Sequence, residues 1–341
     1  MFFFTELSNL LPFPIPFASR LIGSFLTSFM LMLIVGKPFI ALAVRIFPAN
    51  ARIATPLNHQ GKNGIPTMGG LLIIAVIMVG AMLWCNVRKP QVWCQLFVLA
   101  VFGLLGAIDD WYKISCARGV SVKTKFLGQL IAGLASIGLL MFYADIAPVV
   151  QLPFGMLLPI PFLFVLWALF LIVGCSNAVN ITDGLDGLAT QVLIPTFFVL
   201  SLLAYVARVA GESVVPAGAE LGVLAALVGG ALVGFLWYNA YPAQLFMGDA
   251  GALALGALLA TMSLALDFVW FLPLSAVICV IETLSALVQI GSLKLRGKKI
   301  FRLAPIHHHF ELGGWHEQKI TTRAAIISWV LSLVALSLYR S

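Results

Sequence analysis

The sequence predicts an all-α, polytopic integral membrane protein of about ten transmembrane helices, with both termini extracytoplasmic. Three observations predict it. Only 10% of the 341 residues are charged, 61% are hydrophobic and the mean hydropathy is +1.05, whereas a soluble domain carries roughly 25% charged residues. Ten apolar windows are long enough to cross about 30 Å of hydrocarbon. The cationic residues are also distributed unevenly between alternate loops.

The windows fall at 21–47, 67–87, 91–108, 127–144, 157–177, 188–209, 221–240, 250–266, 268–293 and 323–339. Ahead of the first, Pro12, Pro14 and Pro16 interrupt an apolar stretch, which is expected along the interface rather than across it. The opening M-F-F-F-T-E-L-S-N-L-L has no basic leader or small-residue cleavage site, so no signal peptide is expected. Lys37 in the first window reads as a snorkelling or interior-paired lysine. The loops at 48–66, 109–126, 178–187, 241–249 and 294–322 carry Arg52, Lys62, Lys113, Arg118, Lys123, Lys125, Lys294, Arg296, Lys298, Lys299, Arg302 and Lys319. The opposite loops and the tails hold only Arg20, Arg88, Lys89, Arg208 and Arg340. The positive-inside rule places the first set in the cytoplasm. Loop 145–156 alternates between turn signals, as a small hairpin would. No soluble unit or internal repeat interrupts the series, so 1–341 reads as a single transmembrane domain. The five cysteines show neither metal spacing nor a disulfide framework, although Cys85 and Cys94 flank one outer loop and could pair there.

The polar residues gather in the loops assigned to the cytoplasm. Asn177, Asn180, Asp183 and Asp186 recur at every third position between two apolar windows. A three-residue step drifts by only about 60° on a helix, so the four share one side as an oxygen-rich ridge; a solvated Asn/Asp loop is the simpler reading. Asp109 and Asp110 end the third window. Adjacent carboxylates repel by about 4 kcal/mol at ~4 Å and an effective dielectric of ~20, so they require a cation or basic groups nearby unless they are a solvated helix end. Asp249, after Gly248, could cap the eighth helix, bind a metal, or both. Mg²⁺ suits such a site, because it takes oxygen ligands from one or two carboxylates together with substrate phosphates. Lys113 and its basic neighbours would then meet phosphate oxygens. His307, His308 and His309 point about 100° apart on a helix, which favours phosphate contact or proton transfer over a shared metal. Glu282 and Gln289 would share a helix face, in a functional role or as a polar helix–helix contact.

Five ordered motifs carry a resemblance: P-T-M-G-G, D-D-W-Y-K, N-A-V-N-I-T-D-G-L-D-G-L-A, F-M-G-D-A-G-A-L-A-L-G and A-P-I-H-H-H-F-E-L. Together they resemble the phospho-N-acetylmuramoyl-pentapeptide-transferases, within the polyprenyl-phosphate N-acetylhexosamine-1-phosphate transferases. The resemblance runs from about residue 50 to the C-terminus. It implies transfer of phospho-MurNAc-pentapeptide from UDP-MurNAc-pentapeptide to undecaprenyl phosphate, giving lipid I and UMP, with Mg²⁺, on the cytoplasmic face of the bacterial inner membrane. By this similarity Asp249 would be the metal ligand, and Asp109 and Asp110 the catalytic pair, with Asp109 taking the proton from the lipid phosphate. Asn177, Asn180, Asp183 and Asp186 would line the nucleotide-sugar cleft, and Lys62, Lys113 and Lys125 the phosphates and uridine. Phe246 would face the uracil and His307, His308 and His309 the pyrophosphate; Asn239, Gln289 and Arg302 complete the expected substrate contacts. Ala250 and Ala252 replace the Thr and Ser usual in the family, so neither is an expected ligand. The lipid bilayer and a homodimer are expected partners; nucleic acid is not. The alternatives are a UDP-GlcNAc:polyprenyl-phosphate GlcNAc-1-phosphate transferase and a membrane transporter. Transporters place their ionisable groups near the midplane, whereas these gather at one membrane face.

Overall fold

The computed structural model describes residues 16–47, 64–116, 118–151, 156–209 and 218–339. The proline-containing N-terminal stretch before residue 16, and Lys62, lie outside the described residues. The helices are α1 (Phe17–Ile46), α2 (Gly69–Trp84), α3 (Pro90–Cys116), α4 (Val122–Phe142), α5 (Pro161–Thr182), α6 (Leu188–Val209), α7 (Gly218–Asn239), α8 (Gly248–Ala265), the one-turn α9 (Leu272–Ser275), α10 (Val277–Arg296), the short α11 (Ile306–Glu311) and α12 (Glu317–Leu338). Among the described residues nine helices are long and apolar enough to cross a membrane, and α2 adds a shorter apolar one. The chain is thus a multi-pass membrane protein of the all-α class, with one minimal hairpin. Its strands, β1 (Val150–Gln151) and β2 (Leu157–Leu158), form the expected hairpin, with Val150 opposite Leu158.

α8 is the axis of the bundle. Its sequence, G-D-A-G-A-L-A-L-G-A-L-L-A-T-M-S-L-A, is rich in small residues, and every one from Ala250 to Ala265 is buried. Small side chains let helix backbones approach closely within a membrane, and α2, α3 and α5 all pack on α8. A Cβ built on Gly70 of α2 would lie 1.9 Å from Gly251 N, and one on Gly256 of α8 would lie 2.4 Å from Cys175 O of α5. α1 packs on α7, which in turn packs on α6.

Three window boundaries differ from expectation in ways that matter. α3 continues to Cys116 rather than stopping at 108, because Lys113 meets Asp109 and Asp110 at i+4 and i+3 spacing and so carries the helix through its polar turn. α5 continues to Thr182 rather than stopping at 177, making Asn180 a helical rather than a loop residue. The ninth window is broken at Ala276. There Ser275 Oγ pairs with Ser332 Oγ of α12 at 2.9 Å, and Thr196 of α6 donates to the Ser275 carbonyl at 3.1 Å. That crossing is therefore shared between 268–275 and the start of α10.

The end of the bundle away from the Asp-rich loops is tied by Arg20. Its guanidinium reaches both oxygens of the buried Glu220 at 3.0 Å and the Trp84 carbonyl at 2.9 Å. The Asn86 N–H also donates to Glu220, at 2.8 Å. Cys85 and Cys94 are both buried free thiols, directed at the Glu220 and Leu139 carbonyls respectively, so the outer-loop disulfide does not form. Lys37 is exposed on α1, as a snorkelling lysine would be, and not paired in the interior.

Candidate active site

The site is built around the N-terminus of α8. The segment before it is zipped to the segment before α2: Phe246 N–H donates to Pro66 O at 2.9 Å, and Gly69 and Gly70 N–H donate to Phe246 O and Met247 O at 2.8 Å each. Gly248 adopts φ +74°, and a Cβ there would lie 2.5 Å from Asp110 Oδ2, so both the turn and the close approach require glycine. The first N–H groups of a helix lack intrahelical partners. Here two other helices supply acceptors: Asp110 of α3 accepts from Ala250 N at 3.1 Å, and Asp183, just after α5, accepts from Gly248 N. Asp249 is consequently not the N-cap that the sequence allowed. The cap position is Met247, which makes no side-chain cap, and Asp249 lies in the first turn with its carboxylate free for other partners.

Those partners are two lysines. Lys113 Nζ lies 2.7 Å from Asp109, 2.7 Å from Asp249 and 3.2 Å from Asp110. Lys125 Nζ, in the first turn of α4, bridges Asp249 and Asp109, the latter at 3.3 Å. Val120 N–H donates to the other Asp109 oxygen at 2.8 Å. Three carboxylates and two ammonium groups leave one net negative charge, and Asp183 lies close behind. Burial, reinforced by the charges of Asp249 and Asp110, pushes the Asp183 carboxyl up to about 7, while the Gly248 N–H pulls the other way. Access is graded. The Asp109 and Asp110 side chains are 4% exposed, Asp249 is 13%, and Lys125 and Lys113 are 20% and 25%. A ligand arriving from solvent therefore meets the lysines and Asp249 first.

The ridge does not hold together as one stripe. Asn177 turns towards α4, where its amide pairs with Gln129 (Nδ2 to Oε1, 2.7 Å) and with Val173 O. Asn180 is partly buried on α5. Asp183 faces the start of α8. Asp186, beyond the helix end, is buried and accepts from Ala243 N at 3.0 Å. The reason is local: α5 stops at Thr182, so the three-residue repeat loses its helical phase at the two aspartates.

Several expected contact residues are occupied within the protein. Asn239 is buried, accepting from Thr190 Oγ1 at 2.7 Å and donating to Leu245 O at 2.9 Å. Gln289 accepts from Ile300 and Phe301 N–H at 3.0 Å each and donates to Phe301 O at 3.1 Å, which makes it a clamp on the chain entering the next loop. Phe246 is partly buried, its backbone held by the zipper.

The three histidines diverge, as their spacing requires. His307 is buried, with Nδ1 2.9 Å from Glu282 Oε2. Its Nε2 is buried without a hydrogen-bond partner and packs on Gly184, where a Cβ would come within 2.4 Å. His308 pairs with Glu311, while His309 Nδ1 accepts from Arg302 N at 3.1 Å. Arg302 itself is exposed, with its guanidinium on Leu312 O at 2.7 Å. The sequence reading missed Gln129 as the partner of Asn177; its signal was the i+4 spacing from Lys125 on one face of α4. It also missed Glu317, whose carboxylate accepts from Asp186 N. Glu282 was visible but had no assigned partner.

Among the described residues no three His, Cys, Asp or Glu side chains converge as a metal-ligand group, because the lysines stand between the carboxylates. The donor set still fits Mg²⁺ held in the usual way, by one or two carboxylates plus substrate phosphates. Asp249 is the most exposed of the three carboxylates, and the cluster has negative charge to spare.

Residues 92–267 match the family model described as glycosyl transferase family 4, and residues 62–74 match phospho-N-acetylmuramoyl-pentapeptide-transferase signature 1. The first match covers the whole carboxylate–lysine cluster. The second covers the described strand of the zipper that seats α8.

Proposed function

The chain belongs to glycosyl transferase family 4 and is of the phospho-N-acetylmuramoyl-pentapeptide-transferase type; from that premise we infer that it transfers phospho-MurNAc-pentapeptide from UDP-MurNAc-pentapeptide to undecaprenyl phosphate, releasing UMP and forming lipid I. Membership implies a phosphosugar-transferase reaction, a nucleotide-sugar-peptide substrate and a lipid carrier in the bilayer. The observation that supports the finer reading is the Lys113–Lys125–Asp249–Asp109 lattice, which matches the needs of two phosphate groups brought together.

In this reading Lys113 and Lys125 exchange carboxylate contacts for phosphate oxygens when substrate enters. That exchange uncovers Asp249 and, behind it, Asp109. Mg²⁺ held at Asp249 would neutralise charge that develops on the diphosphate as UMP leaves. Asp109, freed from the ammonium groups, takes the proton of the lipid phosphate. Asp110 keeps its bond to Ala250 N and so holds α8, and with it Asp249, in register with α3. Asp183 and Asn180 face the nucleotide sugar from α5 and the loop after it. His307, oriented by Glu282, supplies a wall at Gly184.

Purified protein should release UMP from UDP-MurNAc-pentapeptide only when both undecaprenyl phosphate and Mg²⁺ are present; release from UDP-GlcNAc instead would establish the other member of this reaction class. The segment 302–315 holds groups of both signs, as a surface that reads the lactyl-peptide arm would. Arg302→Ala and His308→Ala are therefore expected to shift the kcat/KM ratio between the two substrates by about 10- to 200-fold. Asp183→Ala should depress both alike. If all three variants lower the two rates in one ratio, the loop is not the specificity element.

The active face is assigned to the cytoplasm by loop charge. A cysteine at Lys298, exposed at that end, should resist a membrane-impermeant thiol reagent in intact cells, and one at Arg88 should react. The opposite pattern would invert the assignment.

A further inference from the structure

α10 packs on its neighbours at its start, but from Leu293 to Ile300 every residue is exposed. It begins just after Ser275, which pairs with Ser332 of α12, and by Glu282 it has reached His307, which packs on Gly184 at the active-site end. Residues 283–296 add about 21 Å of helix after that point. This arm is apolar on the outside: Leu284 is 53% exposed, Leu287 59%, Val288 45% and Leu295 86%. Its tip is basic. Lys294, Arg296, Lys298 and Lys299 are all exposed, with no acidic residue anywhere between Glu282 and Glu311. The tip is also held in shape. Gly297, at φ +64°, reverses the chain, Ser292 Oγ donates to Lys298 O at 2.8 Å, and Gln289 clamps Ile300 and Phe301.

A helix with an exposed apolar face and a cationic end is suited to the plane of the interface. In water its leucines would have no cover. Projecting across the hydrocarbon, its four cations would have no counter-charge. We propose that residues 283–300 form an interfacial arm whose Lys294, Arg296, Lys298 and Lys299 bind anionic phospholipid headgroups, with Leu295 and Ile300 entering the acyl boundary. Positively charged segments beside a membrane are drawn to anionic lipid in this way. Because Gln289 ties the arm to Phe301, this contact also anchors the chain that runs into Arg302 and the histidines.

The test uses the full-length protein with Cys116→Ser and Ile300→Cys, labelled with bimane, in nanodiscs of equimolar phosphatidylcholine and phosphatidylglycerol. One lipid at a time carries brominated acyl chains. Brominated phosphatidylglycerol should quench at least about twofold more strongly than brominated phosphatidylcholine at low salt. That preference should vanish on combining Lys294→Gln, Arg296→Gln, Lys298→Gln and Lys299→Gln, or in high salt, which screens headgroup attraction. Equal quenching by the two lipids in the unsubstituted arm would overturn headgroup recognition. Quenching by neither would overturn the interfacial placement. Both outcomes are read without the quadruple variant, so the result does not depend on its folding.

Discussion

Asp249→Ala is expected to lower turnover at least about a thousandfold, a loss of ~4 kcal/mol in transition-state stabilisation. The carboxylate has two roles that no neighbour can assume. It is the most solvent-accessible of the three acids, the one an incoming metal–phosphate complex would meet first, and both its oxygens lie on lysines. Asp110 cannot replace it, since Oδ2 is committed to Ala250 N. Asp109 cannot either, since Oδ1 is committed to Val120 N. Asp249→Asn separates charge from shape: it preserves volume but not the strong ligand, and should fall nearly as far. The measurement is UMP release at saturating Mg²⁺. If Asp249→Ala kept more than about a tenth of the wild-type rate, a loss below ~1.4 kcal/mol, its assignment as metal ligand would fail.

Gly106→Ala, in α3 one turn before Asp109 and with no side chain of its own to contact a ligand, should be nearly as damaging. A Cβ at this position would stand 2.1 Å from Asp249 O and 2.5 Å from Ala250 N. Both are backbone atoms at the start of a buried helix and have no rotamer by which to yield. α3 and α8 would have to separate by roughly an ångström to restore van der Waals contact, and that movement would pull Asp109, Asp110 and Lys113 away from Asp249. Overpacking of this kind costs about 1–3 kcal/mol of stability, and a ~1 Å misplacement of reacting groups costs about a hundredfold in rate. Gly138→Ala is the control, because nothing lies within 4 Å of its Cβ. Thermal unfolding and UMP release of the two variants should diverge sharply. A Gly106→Ala enzyme with unchanged turnover would show that the α3–α8 spacing does not set the site.

Much of the chain's organisation follows from composition and order alone. Apolar windows with so few charges leave the bilayer as the only solvent in which the chain can satisfy its backbone, and in a bilayer that means helices. That Asp109, Asp110, Asp183 and Asp249 would gather at one end was legible too, because all four fall in the same alternate set of loops. What spacing could not supply was the direction of each side chain where a helix ends. Asn177 and Asp183 belong to one sequence repeat yet face different helices, because α5 stops at Thr182 and the repeat loses its phase. Asp249 after Gly248 looked like a helix cap, but Asp110 and Asp183 cap that helix from two other helices, 140 and 65 residues earlier in the chain. Gln289 looked like a substrate contact because a polar group inside an apolar window is costly without a partner; its partner is the backbone of 300–301, which folds back on it. In each case the sequence determined that a buried polar group must be satisfied, and only the packing of distant helices determined by what.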